Sequence, residues 1–303
     1  MGSFMGHIVP GTFFLIFSLW WTWSVFHKYF ICLKESKEFA RRGSVSKRKK
    51  NPPLYINTLS FPCTCCCARL PLEGVIKIIA VIIGMTGEFV CGFENGRFSH
   101  LNNAQHMTMF FFFGLNGVMD ILHHYRIPLP PDLEYASGIL ALGMEALLFF
   151  YHLHGRPPMD IQVHMLLFYV IICGAVAAAF EMRYRNNVLP ALCRIYFIML
   201  QGTWFYGVAF ILYPPVGEKW DVNSHQQMMI VTLIFTWHNA AIFVFLLVSG
   251  ILIYFRVKSM DRSTMHKSLL SPLSQFYDQH DITKSLDYEQ TKNIMMESEE
   301  EEV

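Results

Sequence analysis

Residues 161–182 read IQVHMLLFYVIICGAVAAAFEM, an apolar run interrupted only near its ends by ionisable side chains. A helix needs about 20 mostly apolar residues to cross the hydrocarbon core of a bilayer. This run is long enough, so it predicts a transmembrane helix. Its ionisable residues, His164 and Glu181, are costly at membrane depth and for that reason usually mark a site.

Working outward from this run, the chain contains further stretches of the same kind. Together they predict an all-α membrane protein built as a bundle of seven transmembrane helices. The approximate spans are 9–31, 73–92, 104–122, 136–153, 161–182, 189–213 and 227–254.

Composition supports a membrane protein, because 53% of the 303 residues are hydrophobic and only 16% are charged. A soluble domain carries about a quarter charged residues. The charges concentrate in a basic loop at 34–72 and in the tail. The chain therefore divides into a membrane domain, 1–258, and a tail, 259–303, that ends in an acidic run and is expected to be disordered. Nothing in this distribution favours a nucleic-acid partner.

Lysine and arginine accumulate in alternate loops, which is the pattern of cytoplasmic segments. With seven crossings, the basic loop, the later basic loops and the tail all fall on one side. The predicted orientation therefore has a luminal or extracellular N-terminus and a cytoplasmic C-terminus. The surrounding partner is the lipid bilayer.

Histidines and carboxylates from several spans are expected to converge near the luminal side. Imidazole nitrogens and carboxylates are common ligands of zinc and iron. The pattern indicates a candidate metal or haem centre whose ligands come from facing helices. The candidate ligands are His7, Glu88, His106, Glu145, His152, His154, His164, His225 and His238.

Two other interpretations of these residues stay open. They can form a proton or ion pathway, or they can be hydrogen-bonded groups that hold helices together. The sequence has no compact zinc motif such as HExxH. A substrate and a reaction do not follow from it.

Cys63, Cys65, Cys66 and Cys67 lie on the predicted cytoplasmic side just before the second span, where reversible palmitoylation is plausible and an unmodified thiol cluster is the alternative. The basic loop and the acidic tail are also candidate surfaces for cytoplasmic protein partners.

Several short stretches of the chain carry a recognisable pattern: 6–14, 106–114, 152–156, Asp160 with His164, 185–189, 200–205, 212–215 and 237–238. On these stretches the chain resembles the transmembrane protein 45 family over nearly its whole length. One departure is Gln105, where members often carry the first histidine of a pair.

This resemblance implies a seven-span protein without an established catalytic activity. It further implies a trans-Golgi, endosomal or lysosomal membrane and a role in trafficking or innate immunity. A metal- or haem-dependent oxidoreductase or hydrolase and a proton or ion pathway remain alternative functions.

Overall fold

The computed structural model describes residues 3–42, 54–61 and 70–260. These residues form seven α-helices and one short β-hairpin. The elements are α1 (Phe4–Arg42), α2 (Leu72–Cys91), β1 (Phe93–Glu94), β2 (Arg97–Phe98), α3 (Leu101–His124), α4 (Leu133–Tyr151), α5 (Pro158–Arg183), α6 (Val188–Leu212) and α7 (His225–Ser259). Every predicted helix is present, and most extend a few residues beyond the predicted apolar run.

Helix starts follow local sequence signals. Pro158 occupies the first turn of α5, where a missing N–H costs nothing. The side chain of Asn187 accepts a hydrogen bond from the amide of Leu189 at the start of α6. The hydroxyl of Ser224 likewise accepts from the amide of Gln227 at the start of α7. These side chains satisfy amides that a helix cannot pair internally.

The hairpin between α2 and α3 turns at Asn95 and Gly96, whose φ angles are 53° and 75°. A two-residue hairpin turn of this type needs positive φ at both positions, which Asn-Gly tolerates best. The hairpin lets α3 fold back along α2, and Gly74 and Gly117 meet where these helices pack closely.

The core lies where α6 packs between α1 and α5, and α7 covers the outside of α1 and α6. Along α7, one face exposes a continuous series of large apolar side chains. Such a surface is unfavourable in water and suits contact with lipid. This series comprises Phe243, Val244, Leu247, Val248, Ile251, Leu252 and Phe255.

Among the described residues, six helices are long and apolar enough to cross a membrane: α1, α2, α4, α5, α6 and α7. The prediction of seven spans is therefore wrong. The exception is α3, predicted as the span 104–122, because polar residues such as Asn116 and Asp120 interrupt its apolar face. The predicted orientation depended on an odd number of crossings and loses that support.

Candidate functional site

Five elements bring polar side chains to one end of the bundle, which we call the histidine end. His7 lies in the second turn of α1, and Glu88 in the last turn of α2. His106 is in the second turn of α3, His152 directly follows α4, and His164 is in the second turn of α5. The chain reverses direction between neighbouring helices, so these sequence-distant positions meet at the same depth.

His7 of α1 and His164 of α5 face each other at the histidine end. Their Nε2 atoms are 3.5 Å apart. The Nδ1 of His7 lies 2.8 Å from the carbonyl oxygen of Ser3. The Nδ1 of His164 lies 2.8 Å from the carbonyl oxygen of Asp160. Both rings are buried, with 8% of His7 and 2% of His164 exposed.

From His164 a chain of polar contacts continues toward α3. Arg156 donates from Nη1 to both carboxylate oxygens of Asp160, at 3.0 and 3.1 Å. Arg156 Nη2 also contacts Nε2 of His152. The Nδ1 of His152 lies 2.8 Å from the side-chain oxygen of Gln105. His152 is thereby held between a cationic donor and a neutral acceptor.

A second branch joins α3 to α2. The Nδ1 of His106 lies 3.1 Å from Oε1 of Glu88. Asn103 donates to the other carboxylate oxygen of Glu88 at 2.7 Å. The ring of His106 approaches that of His152, with centroids 5.2 Å apart. The histidine end is therefore one connected set of polar groups rather than isolated side chains.

A cavity of about 540 Å³ extends from the histidine end into the bundle, and residues of all six helices α1 to α6 line it. Its wall includes His7 at one end and Trp21 at the other. These two residues are fourteen positions apart on α1, so the cavity is about 20 Å long at 1.5 Å per residue. Between them the wall is mostly apolar and aromatic. Representative side chains are Phe14, Val81, Phe113, Leu142, Phe149 and Phe205.

At its far end the cavity reaches buried charges, which we call the charged cluster: Glu73, Lys77, Asp120, Glu181 and Arg194. Lys77 donates to Asp120 at 2.5 Å, and its Nζ lies 3.6 Å from Glu73. The carboxylate of Glu73 also accepts from the indole of Trp21 at 2.8 Å. This contact ties α1 to α2.

Arg194 and Glu181 form the second half of the charged cluster. The Nε of Arg194 donates to Oε2 of Glu181 at 2.5 Å, and Tyr135 donates its hydroxyl to Oε1 at 3.1 Å. The guanidinium of Arg194 lies 4.5 Å from the ring centroid of Trp21, and Lys77 lies 5.6 Å from the same indole. Trp21 therefore links the two halves through cation–π contacts.

Glu145 lies between the two ends, on the cavity wall. Its two carboxylate oxygens accept from Nε2 of Gln201, each at 2.9 Å. Both side chains are buried, with 3% of Glu145 and none of Gln201 exposed.

The structure thus gathers five of the nine predicted ligands at one end: His7, Glu88, His106, His152 and His164. Glu145 lies deeper. His154 is exposed and contacts only its own turn, and His225 is exposed at the start of α7. His238 packs on Trp204 with its Nδ1 3.0 Å from the carbonyl of Ile234.

In the described part of the chain, no three His, Cys, Asp or Glu side chains come together as a ready-made metal site. The predicted nine-residue ligand set is therefore not assembled around one point. The sequence did not single out three buried participants, Glu73, Lys77 and Arg194, or the half-buried Arg156. These charged residues lie near the ends of apolar runs, and that position was the sequence feature that could have indicated them.

The four cysteines of the predicted lipidation site, Cys63, Cys65, Cys66 and Cys67, lie outside the described residues. The acidic end of the tail and about half of the basic loop, 43–53 and 62–69, also lie outside them. Palmitoylation and cytoplasmic partner binding remain predictions.

Burial, reinforced by the positive charge of Arg156, lowers the pKa of His152 from its usual value of 6.5 to about 3. The folded state then favours neutral His152. Its contribution to stability is complete above about pH 6.5 and is lost progressively as the pH falls toward the folded-state pKa.

We therefore expect the melting temperature to drop between pH 7 and pH 5, and the drop to be smaller in His152→Gln, which has no titrating nitrogen there. The exposed His154→Gln variant is the control and should keep the full drop. Thermal melts of detergent-purified protein at the two pH values test this, and an equal drop in His152→Gln would contradict it.

Apolar helices of membrane-spanning length around a buried polar interior define the chain as a helical, multi-pass integral membrane protein. Residues 131–251 match a family described as a family of unknown function, DUF716. Transmembrane epididymal protein 1 of Homo sapiens is 28% identical over 186 residues, covering 57% of this chain and 68% of the relative. Transmembrane epididymal protein 1 of Rattus norvegicus is 25% identical over 255 residues, covering 78% of this chain and 76% of the relative.

These matches correct the prediction of a transmembrane protein 45 relative, which is wrong. The likeness found is to DUF716 and to transmembrane epididymal proteins. The predicted localisation to trans-Golgi, endosomal or lysosomal membranes rested only on that resemblance. Residence in a membrane stands independently of it, on the apolar helices.

Proposed function

We propose that this protein binds an amphipathic, lipid-like molecule inside its helix bundle. The polar group of the ligand would lie at the histidine end, and its apolar chain would extend toward the charged cluster. The observation that carries this proposal is the elongated cavity of about 540 Å³, mostly apolar along its length and polar at its ends. Ligand sites are typically concave, mostly apolar and about 300–1,000 Å³ in volume, with a few placed polar groups.

A ligand from the bilayer is favoured by how the cavity wall is built. α1 packs against α6, and α2 packs against α3, but α1 and α2 make few contacts with each other. Both helices line the cavity, and the indole of Trp21 joins them at Glu73, near the charged end. The weakly closed side between α1 and α2 is a route from surrounding lipid.

The arrangement favours binding over a proton or ion pathway through the membrane. The polar contacts from His7 to Glu88 run across one end of the bundle rather than along its axis. An apolar stretch of wall, including Phe14 and Phe113, separates them from the charged cluster. A pathway would need a continuous series of polar groups along that stretch, where Glu145 stands among mostly apolar side chains.

The trafficking and innate-immune roles came with the resemblance that the comparisons overturn, so we do not propose them. An adaptor role through 34–72 and the tail rests on residues that are mostly outside the described ranges.

Filling the cavity tests the proposal. Ala80 lines the cavity on α2 and is 6% exposed, so Ala80→Phe should occupy ligand space. Ile82, on the same helix, is 58% exposed, so Ile82→Phe adds similar bulk toward lipid and is the matched control. In nanodiscs, binding of a fluorescent long-chain fatty acid should weaken at least about tenfold in Ala80→Phe, a loss of about 1.4 kcal/mol.

Wild-type affinity should persist in Ile82→Phe. Absence of saturable binding by the wild type, or equal affinity in both variants, would reject the proposal. Native mass spectrometry of the purified protein would provide a second readout, since a co-purified lipid should be lost only from Ala80→Phe.

A further inference from the structure

The hydrogen bonds of His7 and His164 fix where their ring protons lie. A backbone carbonyl can only accept a hydrogen bond. Since each Nδ1 lies 2.8 Å from a carbonyl oxygen, of Ser3 for His7 and of Asp160 for His164, each Nδ1 must carry the hydrogen. In the neutral ring the other nitrogen, Nε2, then presents a bare lone pair.

The two Nε2 atoms are nevertheless 3.5 Å apart. Two neutral rings in these tautomers cannot hydrogen-bond to each other, because both facing atoms are acceptors. The two lone pairs therefore call for a group that both nitrogens can share. The candidates are a water that donates to both nitrogens, a shared proton and a metal cation.

We infer that His7 and His164 are two ligands of one zinc-type metal cation at the mouth of the cavity. With Zn–N bonds of about 2.0–2.1 Å, nitrogens 3.5 Å apart subtend an angle of about 113–122° at the metal. That range is close to tetrahedral and trigonal geometry. Both rings line the cavity, so water or an anion can complete the coordination from that side.

The surroundings of both rings match those of metal-binding histidines. Such a histidine usually donates its second ring N–H to a carbonyl or a carboxylate, which fixes the tautomer and the ring orientation. His7 does this with Ser3, and His164 does it with the carbonyl of Asp160, whose carboxylate Oδ1 is also 2.8 Å from the same Nδ1. The inference is independent of what the cavity binds.

A shared proton is less favourable in this setting. It would make the buried pair cationic, and a buried charge needs a partner. The nearest carboxylate, Asp160, divides its single charge between Arg156, which donates to both oxygens, and the Nδ1 of His164. A metal cation instead gains two coordinate bonds and can bring hydroxide or another anion with it.

The test uses the full chain, purified without a polyhistidine tag, with Cys63, Cys65, Cys66 and Cys67 replaced by Ser, because thiolates also bind zinc. After equilibration with Zn²⁺ and desalting, bound zinc is measured by mass spectrometry. This cysteine-replaced chain, which we call the background protein, should retain about one zinc per chain. His7→Gln and His164→Gln should each lose it.

His238→Gln is the matched control, since His238 also contacts a backbone carbonyl through Nδ1 but has no paired histidine. It should keep its zinc. Melting temperatures of the zinc-free proteins verify folding. Added Zn²⁺ should raise the melting temperature of the background and of His238→Gln only.

Three outcomes would overturn the inference. The first is no retained zinc in the background protein, and the second is as much zinc retained by His7→Gln and His164→Gln as by the background protein. The third is a ¹⁵N spectrum at pH 7 in which His7 and His164 share a proton that excess Zn²⁺ does not displace.

Discussion

Replacing Arg194 with Met should lower the free energy of unfolding by about 3–5 kcal/mol, because it leaves the carboxylate of Glu181 buried without its cation. Glu181 has no exposed surface, and Arg194 is 2% exposed. The hydroxyl of Tyr135 would remain as a donor to Glu181. The loss of the cation–π contact with Trp21 adds to the effect in the same direction.

The double variant Arg194→Met with Glu181→Gln separates the contribution of the buried charges to the free energy of unfolding from the contribution of packing. Removing both charges should recover most of the loss, because a buried pair replaced by neutral groups of similar volume is often close to neutral in stability. Unfolding with sodium dodecyl sulfate in mixed micelles measures the free energies. A single variant as stable as the wild type, or a double variant no better than the single one, would contradict this account.

The sequence predicted the helices well because each apolar run must satisfy its backbone polar groups internally. The seven predicted runs, such as 189–213, correspond to helices such as α6, Val188–Leu212. The number of spans was harder to predict, because helix formation and membrane crossing are different properties. In α3, Asn116 and Asp120 face Lys77 within the bundle, and they lower the apolar character that a crossing helix needs.

The histidine end was predictable as a group but not as pairs. Reversal of chain direction between helices placed His7, His106, His152 and His164 at one end, and this convergence holds in the structure. Which ring meets which depends on helix rotation and packing, and these depend on contacts that sequence spacing does not encode. His225 is the first residue of α7, and His238 lies in the interior of that helix. Because α7 packs on the outside of the bundle, neither residue joins the histidine end.

Within the charged cluster, Glu73 and Lys77 were missed for a different reason. Glu73 and Lys77 lie in the first turns of α2. Charges at the end of an apolar run are expected to lie at the membrane surface. In the structure α1 is long enough for Trp21 to cover them, and they become interior groups. Long neighbouring helices can therefore convert surface charges into buried ones.

Replacing Gly11 with Leu should destabilise the contact between α1 and α6 by about 1–3 kcal/mol or more, because there is no space for a side chain. A Cβ atom at Gly11 would lie 2.9 Å from the Cβ of Phe205 and 3.0 Å from the carbonyl oxygen of Gly202. The second obstacle is backbone, so it cannot move without separating the helices. Small residues permit this kind of close approach between helices in membranes.

The effect should extend to the cavity, since Pro10 and Phe14 on α1 and Phe205 on α6 all line it. Gly143→Leu is the matched control, because a Cβ at Gly143 meets nothing within 4 Å; it should melt close to the wild-type temperature. Gly11→Leu should melt lower and also bind the fluorescent fatty acid more weakly. If Gly11→Leu melted no lower than Gly143→Leu, the α1–α6 crossing would have to be looser than described, and α1 could not hold His7 against His164.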